Sequence, residues 1–184
     1  MEGCEHYQKG SYRNRCRIAT SQGVAVLSIP LVKGKHEGLG IREVRISYSE
    51  DWQRQHWRGI LAGYRNAPYF DHYCWHFEGL FQSRYEFLFD WNWAILEKIL
   101  KALKLEGKVK MAVSEGYVRG GEVQGDLLDL RGKITPKGDN DGDGVHYCQV
   151  FEEKTGFLGN LSILDMLFCC GPGSLEILST MSAL

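Results

Sequence analysis

One histidine stands where it could act as a general base. His56 follows Trp52 by four residues, and residues four apart share one face of an α-helix. An aromatic neighbour would partly desolvate the imidazole, which titrates in the range useful for proton transfer. The alternative is a structural histidine at the edge of the core, held by a hydrogen bond. The sequence alone leaves both roles open.

A second polar group lies near the N-terminus. Lys9, Asn14 and Arg15 fall in one short segment with Tyr7 and Tyr12. The two cations could clamp a phosphate-containing group, while the asparagine amide orients a carbonyl. The competing interpretation is a solvated basic loop that covers the sheet, where such charges contribute little.

A cysteine adjoins this segment. The positive charge of Arg15 is expected to lower the thiol pKa of Cys16, which would make it an acyl-accepting nucleophile. The alternative is a small buried thiol. The six cysteines include no C-x-x-C pair, and the one adjacent pair, 169–170, is awkward for an ordinary disulfide. Because a chain of this length with an aromatic core and no signal peptide needs no disulfides, we expect all six to be reduced.

Two further polar residues interrupt apolar segments. Gln149 lies in a predicted strand, where its amide could bind a substrate or a neighbouring loop. Asp165 interrupts an apolar helix, and a buried carboxylate needs a partner, for which we expect Arg15 or a backbone donor. We predict a structural role for Asp165.

Two motifs contain some of the ligands of a metal site but lack the others. His72 and His76 are four apart on a predicted helix, but Cys74 between them would point about 200° away from each. Residues 139–144 copy the start of an EF-hand loop, yet Val150 stands where a bidentate glutamate is required. We therefore expect no metal and no other cofactor, and a solvated acidic loop at 139–144.

Composition narrows the class of protein. The 184 residues carry 22 Lys plus Arg against 23 Asp plus Glu, which leaves no electrostatic footprint for nucleic acid or an anionic membrane. The first residues lack the apolar region of a signal peptide. We expect no membrane insertion, because the apolar runs are shorter than the roughly 18 residues that a spanning helix needs. A cytoplasmic protein of one domain, 1–184, is predicted.

Periodicity predicts an α/β fold with a small mixed β-sheet packed by three to four helices. Strands are predicted near Arg17 and over 24–29, 44–48, 109–113 and 147–151. Helices are predicted from an N-cap at Ser49 to the residues before Pro68, and over about 69–82, 88–105, 162–168 and 175–181.

Four segments, in this order, resemble the WbqC-like protein family. They are Tyr-Gln-Lys followed by Asn-Arg within 6–16, Ser-Ile-Pro within 27–31, Trp-x-x-x-His at 52–56 with Tyr-Arg-Asn-Ala-Pro-Tyr-Phe at 64–70, and Tyr-x-Gln-Val-Phe at 147–151 with 156–172. The family pattern begins upstream with a short strand and a helix that this sequence lacks. We therefore expect an N-terminally short member, whose first strand has an open edge suited to edge-to-edge association with a second copy.

The resemblance implies a role in bacterial surface-polysaccharide biosynthesis of the O-antigen type. The expected reaction transfers an amino-acid acyl group, such as glycyl, to a nucleotide-linked amino sugar, so the expected partners are a nucleotide sugar or a carrier-bound acyl substrate. His56 would be the base, and Lys9, Asn14 and Arg15 would anchor the anion and the carbonyl. Two alternatives stay open, a non-catalytic accessory protein of the same pathway and a thiol-dependent acyl transferase or hydrolase that uses Cys16.

Overall fold

The chain folds as one β-hairpin against a set of helices. A computed structural model describes residues 1–33, 38–117, 131, 134–136 and 145–181. Within them, β1 (Arg15–Thr20) and β2 (Gly23–Ser28) pair, and the α-helices are α1 (Trp52–Tyr64), α2 (Phe70–Gln82), α3 (Leu88–Ala102), α4 (Glu152–Thr155), α5 (Ile163–Cys170) and α6 (Ser174–Met181). Three 3₁₀ turns cover Tyr12–Asn14, Ile41–Glu43 and Gly171–Gly173.

The hairpin is antiparallel and tightly closed. Its register runs from Arg15 opposite Ser28 to Thr20 opposite Gly23, with two residues in the turn. Gly23 takes a positive φ of 106°, a conformation that glycine adopts without a steric penalty. The segments predicted as strands near Arg17 and at 24–29 thus form a hairpin, but the expectation that its second strand is well buried is wrong. Ile18 of β1 is buried and faces α1, whereas Val26 of β2 is 55% exposed.

The outer edge of β1 is bound by other parts of the same chain. The backbone N–H of Ala19 donates to the Tyr64 hydroxyl at the end of α1, over 2.8 Å. The carbonyl of Arg17 accepts from the Ser162 N–H, over 2.7 Å. The edge that we expected to be open is thus satisfied at these two positions, whereas edge-to-edge association itself stays a prediction.

Aromatic side chains fill the space between the helices. Trp91 of α3 is buried, and its ring centroid lies 5.2 Å from that of Trp52 and 5.5 Å from that of Phe81. Phe168 of α5 packs in the same way against Tyr64 and Phe70, at 5.3 and 5.0 Å. Helices α1, α2, α3 and α5 therefore share one core, which confirms the predicted α/β class with a small sheet and packed helices.

The sheet has fewer strands than we predicted. The segment 44–48 makes only isolated bridges, Leu31 with Ile46 and Arg45 with Phe87. Pro30 has no N–H to extend the pairing on one side, and on the other side the chain enters α3 at Leu88. Neither 109–113 nor 147–151 forms a strand, so the sheet is purely antiparallel rather than mixed.

The helix boundaries agree with the periodicity, with two exceptions. The N-cap of α1 is Asp51 rather than Ser49, whose hydroxyl instead lies 3.0 Å from that of Ser47. Helix α3 ends at Ala102, before the predicted 105, because Lys104 adopts a positive φ of 58° that a helix cannot contain.

One stretch has the dimensions of a membrane span. Ile163–Met181 covers 19 residues with a mean hydropathy of 1.2, so the expectation that apolar runs are too short is wrong by length and composition. In the structure the stretch is two helices joined at Gly171–Gly173, and 44% of it is buried in the protein. A core helix meets the same criteria, because burial in a core also selects apolar residues.

We predict that Gly63→Ala destabilises the protein by about 2 kcal/mol, lowering the Tm by about 4–8 °C. A Cβ at Gly63 would lie 2.7 Å from the Ala19 carbonyl oxygen, a backbone atom that cannot move freely. Gly79→Ala in α2 is the matched control, since a Cβ there meets nothing within 4 Å, and it should stabilise by about 0.5–1 kcal/mol. Urea unfolding curves measure both. Equal effects of the two substitutions would contradict the close contact.

Candidate functional site

A cavity of about 200 Å³ lies where the hairpin, α1, α2, α3 and the start of α5 meet. Most of its lining is aliphatic or aromatic, with polar side chains from the 12–16 segment, α1, α3 and Ser162. Three of the predicted site residues, Asn14, Arg15 and His56, line this cavity. A pocket with an apolar body and a few polar groups is the usual form of a small-molecule site.

Asn14 is held rigidly, yet one of its polar atoms has no partner. Its side-chain Nδ2 donates to the Ile29 carbonyl over 3.0 Å, and its own carbonyl accepts from the Ile29 N–H over 2.8 Å. The residue is only 8% exposed, and its Oδ1 makes no hydrogen bond within the described structure. A buried acceptor without a donor costs about 1–3 kcal/mol. Because Oδ1 has almost no accessible surface, the amide must turn towards the cavity before a ligand can donate to it.

Arg15 has an unpaired hydrogen-bond donor, whereas Asn14 has an unpaired acceptor. Its Nε is buried without a hydrogen-bond partner, and Arg15 forms no ion pair with a described residue. Neighbouring Arg13 differs, because its guanidinium binds both carboxylate oxygens of Glu5. The charge of Arg13 is therefore compensated within the fold, whereas the Nε–H of Arg15 has no acceptor among the described residues and is shielded until the side chain shifts.

The imidazole of His56 is neutral at physiological pH. Its ring centroid lies 5.1 Å from that of Trp52 in an edge-on arrangement. Desolvation by burial lowers the pKa of His56 to about 4, although a hydrogen bond with the Ser28 carbonyl partly offsets this. Because a neutral imidazole carries a proton on one nitrogen only, the other ring nitrogen has a lone pair that can accept a proton or a hydrogen bond.

Cys16 is not an activated thiol. Burial raises its pKa to about 11, and a hydrogen bond with Ser162 lowers it only partly. The expectation that Arg15 depresses this pKa is wrong, because desolvation dominates and the opposing contribution comes from Ser162. At neutral pH the thiolate, which is the nucleophilic form, is nearly absent.

Lys9 and Gln149 lie apart from this arrangement. Lys9 is exposed in a turn and does not line the cavity. Gln149 donates from Nε2 to the Leu158 carbonyl and to Asp165, over 2.9 and 3.2 Å, and its Oε1 accepts from the Leu158 N–H over 2.8 Å. Both amide hydrogens of Gln149 are thus engaged inside the protein.

Asp165 is fully buried in a polar cluster. Its Oδ2 accepts from the Tyr147 hydroxyl over 2.8 Å and from the Gln149 amide. Desolvation raises the pKa of Asp165, although hydrogen bonds from Tyr147, Tyr64 and Gln149 oppose the shift. Side chains fill the partner role that we assigned to Arg15 or a backbone donor. The contacts support a structural role for this carboxylate.

Two residues that line the cavity were not predicted as site residues from the sequence. Asn92 of α3 donates from Nδ2 to the Arg13 carbonyl over 2.8 Å and so positions the segment that carries Asn14. Ser162 caps α5 with its side chain and binds β1 with its N–H. The available signal was Asn92 itself, a polar residue on the apolar stripe of α3.

The metal-like motifs form no site among the described residues. His76 stacks on Trp75 with ring centroids 3.6 Å apart, and His72 is exposed. In the described ranges no three His, Cys, Asp or Glu side chains gather as metal ligands. The EF-hand-like segment 139–144 lies outside the described residues.

The fold and the cavity define an α/β protein with a mixed polar and apolar pocket. The chain belongs to the WbqC-like protein family, whose model matches residues 2–133. It is also similar to an uncharacterized protein of Mycobacterium tuberculosis, with 42% identity over 65 residues, which is 35% of this chain and 27% of that protein's length. No solved structure matches. The family match contains Asn14, Arg15 and His56, whereas Ser162 lies beyond it.

We predict that His56 makes stability fall at acid pH. Its pKa is about 4 in the folded protein against 6.5 ordinarily, so the unfolded chain takes up the proton first as the pH drops. The contribution is complete above about pH 6.5 and is lost towards pH 4. Asp165, with a raised pKa, acts in the opposite direction, so only a comparison of variants isolates His56.

The test is the Tm of wild type and His56→Asn between pH 7.5 and pH 5. The substitution should remove roughly 1 kcal/mol of the acid-induced loss, or about 2–4 °C, after allowance for the partly exposed ring. His72→Asn, at an exposed histidine of α2, is the control. An unchanged pH slope in His56→Asn would contradict the buried neutral imidazole.

We also predict that Cys16 resists alkylation in the folded protein. Iodoacetamide at about pH 8 should modify the exposed Cys4 and Cys148 first, because Cys16 is both shielded and protonated. Peptide mass mapping, with and without urea, reports each site. If Cys16 is labelled as fast as Cys4 without urea, the hypothesis that Cys16 is a nucleophile would be supported again.

Proposed function

We propose that this protein is an enzyme of bacterial surface-polysaccharide biosynthesis that transfers an amino-acid acyl group to the amine of a nucleotide-linked amino sugar in the cytoplasm. Family membership supports the pathway. The observation that carries the reaction type is one cavity with an unpartnered acceptor on Asn14, an unpartnered donor on Arg15 and a neutral imidazole on His56.

These groups match the requirements of acyl transfer. The sugar amine attacks the acyl carbon, a C–N bond forms, and the bond from that carbon to its leaving group breaks. The Nε–H of Arg15 donates to the acyl oxygen, where negative charge develops. The amine loses one proton, and the free ring nitrogen of His56 accepts it. The leaving group departs with the electron pair of the broken bond.

The cavity is too small to hold both substrates. A volume of about 200 Å³ is below the roughly 300–1,000 Å³ of pockets that enclose drug-sized ligands. The acyl group therefore occupies the cavity, and the nucleotide sugar approaches from its mouth. Lys9, exposed on the preceding turn, is proposed as an anchor for the phosphates outside the cavity.

A non-catalytic binding protein of the same pathway is the second candidate. The pKa of about 4 favours it, because a base this weak accepts protons poorly at neutral pH. The thiol-dependent alternative has less support, since the Cys16 pKa of about 11 opposes nucleophilic attack.

The test is a transfer assay with a nucleotide-linked amino sugar and a panel of activated amino acids, read by mass spectrometry of the amide product. His56→Asn should lower kcat by about 10²–10⁴-fold, the usual contribution of a general base. Cys16→Ser should stay within a few-fold of wild type, and His72→Asn is the matched surface control. Tight binding of substrates without turnover would favour the accessory protein, and loss of activity in Cys16→Ser the thiol mechanism.

A further inference from the structure

We infer that the cavity selects an amino acid with a branched aliphatic or aromatic side chain, the size of leucine or phenylalanine, in preference to glycine. The inference rests on the proposed function for its acyl-transfer context, and it names the substrate class of the same site. The binding preference itself follows from the lining of the cavity and from two buried polar atoms.

The lining requires an apolar occupant. Ile60, Phe77 and Leu80 contribute from α1 and α2, and Ile95 and Ile99 from α3. Transfer of a leucine-sized side chain from water into such surroundings strengthens binding by roughly 10- to 100-fold. A glycyl group gains none of this and would leave the apolar walls unfilled. Cavities of about 150 Å³ hold a benzene molecule, so about 200 Å³ accepts an isobutyl or benzyl group.

The polar atoms specify the backbone of the ligand. Oδ1 of Asn14 needs a donor, and Nε of Arg15 needs an acceptor. An α-amino acyl group presents its amino N–H and its carbonyl oxygen three bonds apart, with the amino nitrogen and the carbonyl carbon both bonded to the α-carbon. A fatty acid would leave Asn14 unpaired, and a simple amine would leave Arg15 unpaired, each at the cost of a buried unsatisfied group.

Four probes separate these contributions in titration calorimetry. L-Leucine has all three groups, glycine lacks the side chain, 4-methylpentanoate lacks the amine, and 3-methylbutylamine lacks the carboxylate. We expect leucine to bind tightest, glycine at least ten-fold more weakly, and the other two several-fold more weakly. Equal affinity for glycine and leucine would overturn the inference.

Two variants locate the binding. Ile95→Phe carries a longer, planar side chain into the cavity and should weaken leucine at least ten-fold while affecting glycine much less. Arg15→Lys removes the Nε–H but keeps the charge, so it should weaken leucine and 4-methylpentanoate but not 3-methylbutylamine. Arg58→Lys, exposed on α1 and outside the lining, is the control. Thermal melts verify folding, and Ile99→Phe replaces Ile95→Phe if the latter does not fold.

The results distinguish the inference from the proposed function. Leucine affinity that Ile95→Phe and Ile99→Phe both leave unchanged refutes the cavity as the side-chain pocket. Efficient glycyl transfer with no preference for leucyl donors also refutes the inference, but keeps the acyltransferase. Leucine binding that the filling variants abolish, with no turnover of any aminoacyl donor, supports the inference and refutes the enzyme.

Discussion

The contact between the end of α1 and the outer edge of β1 sets the position of everything else in the site. Gly63 lets the helix approach the Ala19 carbonyl, and the Tyr64 hydroxyl accepts the Ala19 N–H. Seven residues earlier on the same helical face, His56 reaches the Ser28 carbonyl and the cavity. One face of one helix is thus fixed to the hairpin at both ends. A larger residue at 63 would tilt the helix and move the imidazole.

The far wall of the cavity depends on a second polar arrangement. Asp165 draws Tyr147 and Gln149 onto α5, and Gln149 in turn binds the backbone of Leu158. This cluster ties 147–158 to the helix that Ser162 caps. Burying the carboxylate is costly, which its raised pKa reflects, and the hydrogen bonds offset part of the cost. The cluster orients a wall, whereas hydrophobic contacts with Phe168 supply the burial energy.

Sequence periodicity located the hairpin and five of the six described α-helices, because both depend on local patterns, and it missed the single turn α4. It failed at 44–48, where alternation indicates a strand but the neighbouring segments, limited by Pro30 and by the start of α3, are too short to pair with it. The expectation that Asn14, Arg15 and His56 act in one site came from the family resemblance rather than from their spacing in the sequence. The pKa of Cys16 was mispredicted because it depends on burial, which adjacency to Arg15 in the chain does not reveal.

The cavity is lined by polar groups whose burial is unfavourable, and this explains how they can act together. Asn14 and Arg15 each bury a polar atom without a partner, and His56 is kept neutral away from water. The two unpaired polar atoms lower stability, and a ligand that pairs with both would remove that cost, whereas the neutral imidazole costs nothing above about pH 6.5. Negative charge developing on the acyl oxygen would also raise the pKa of His56 towards a useful value. The imidazole would then become an effective base only when the acyl group reacts.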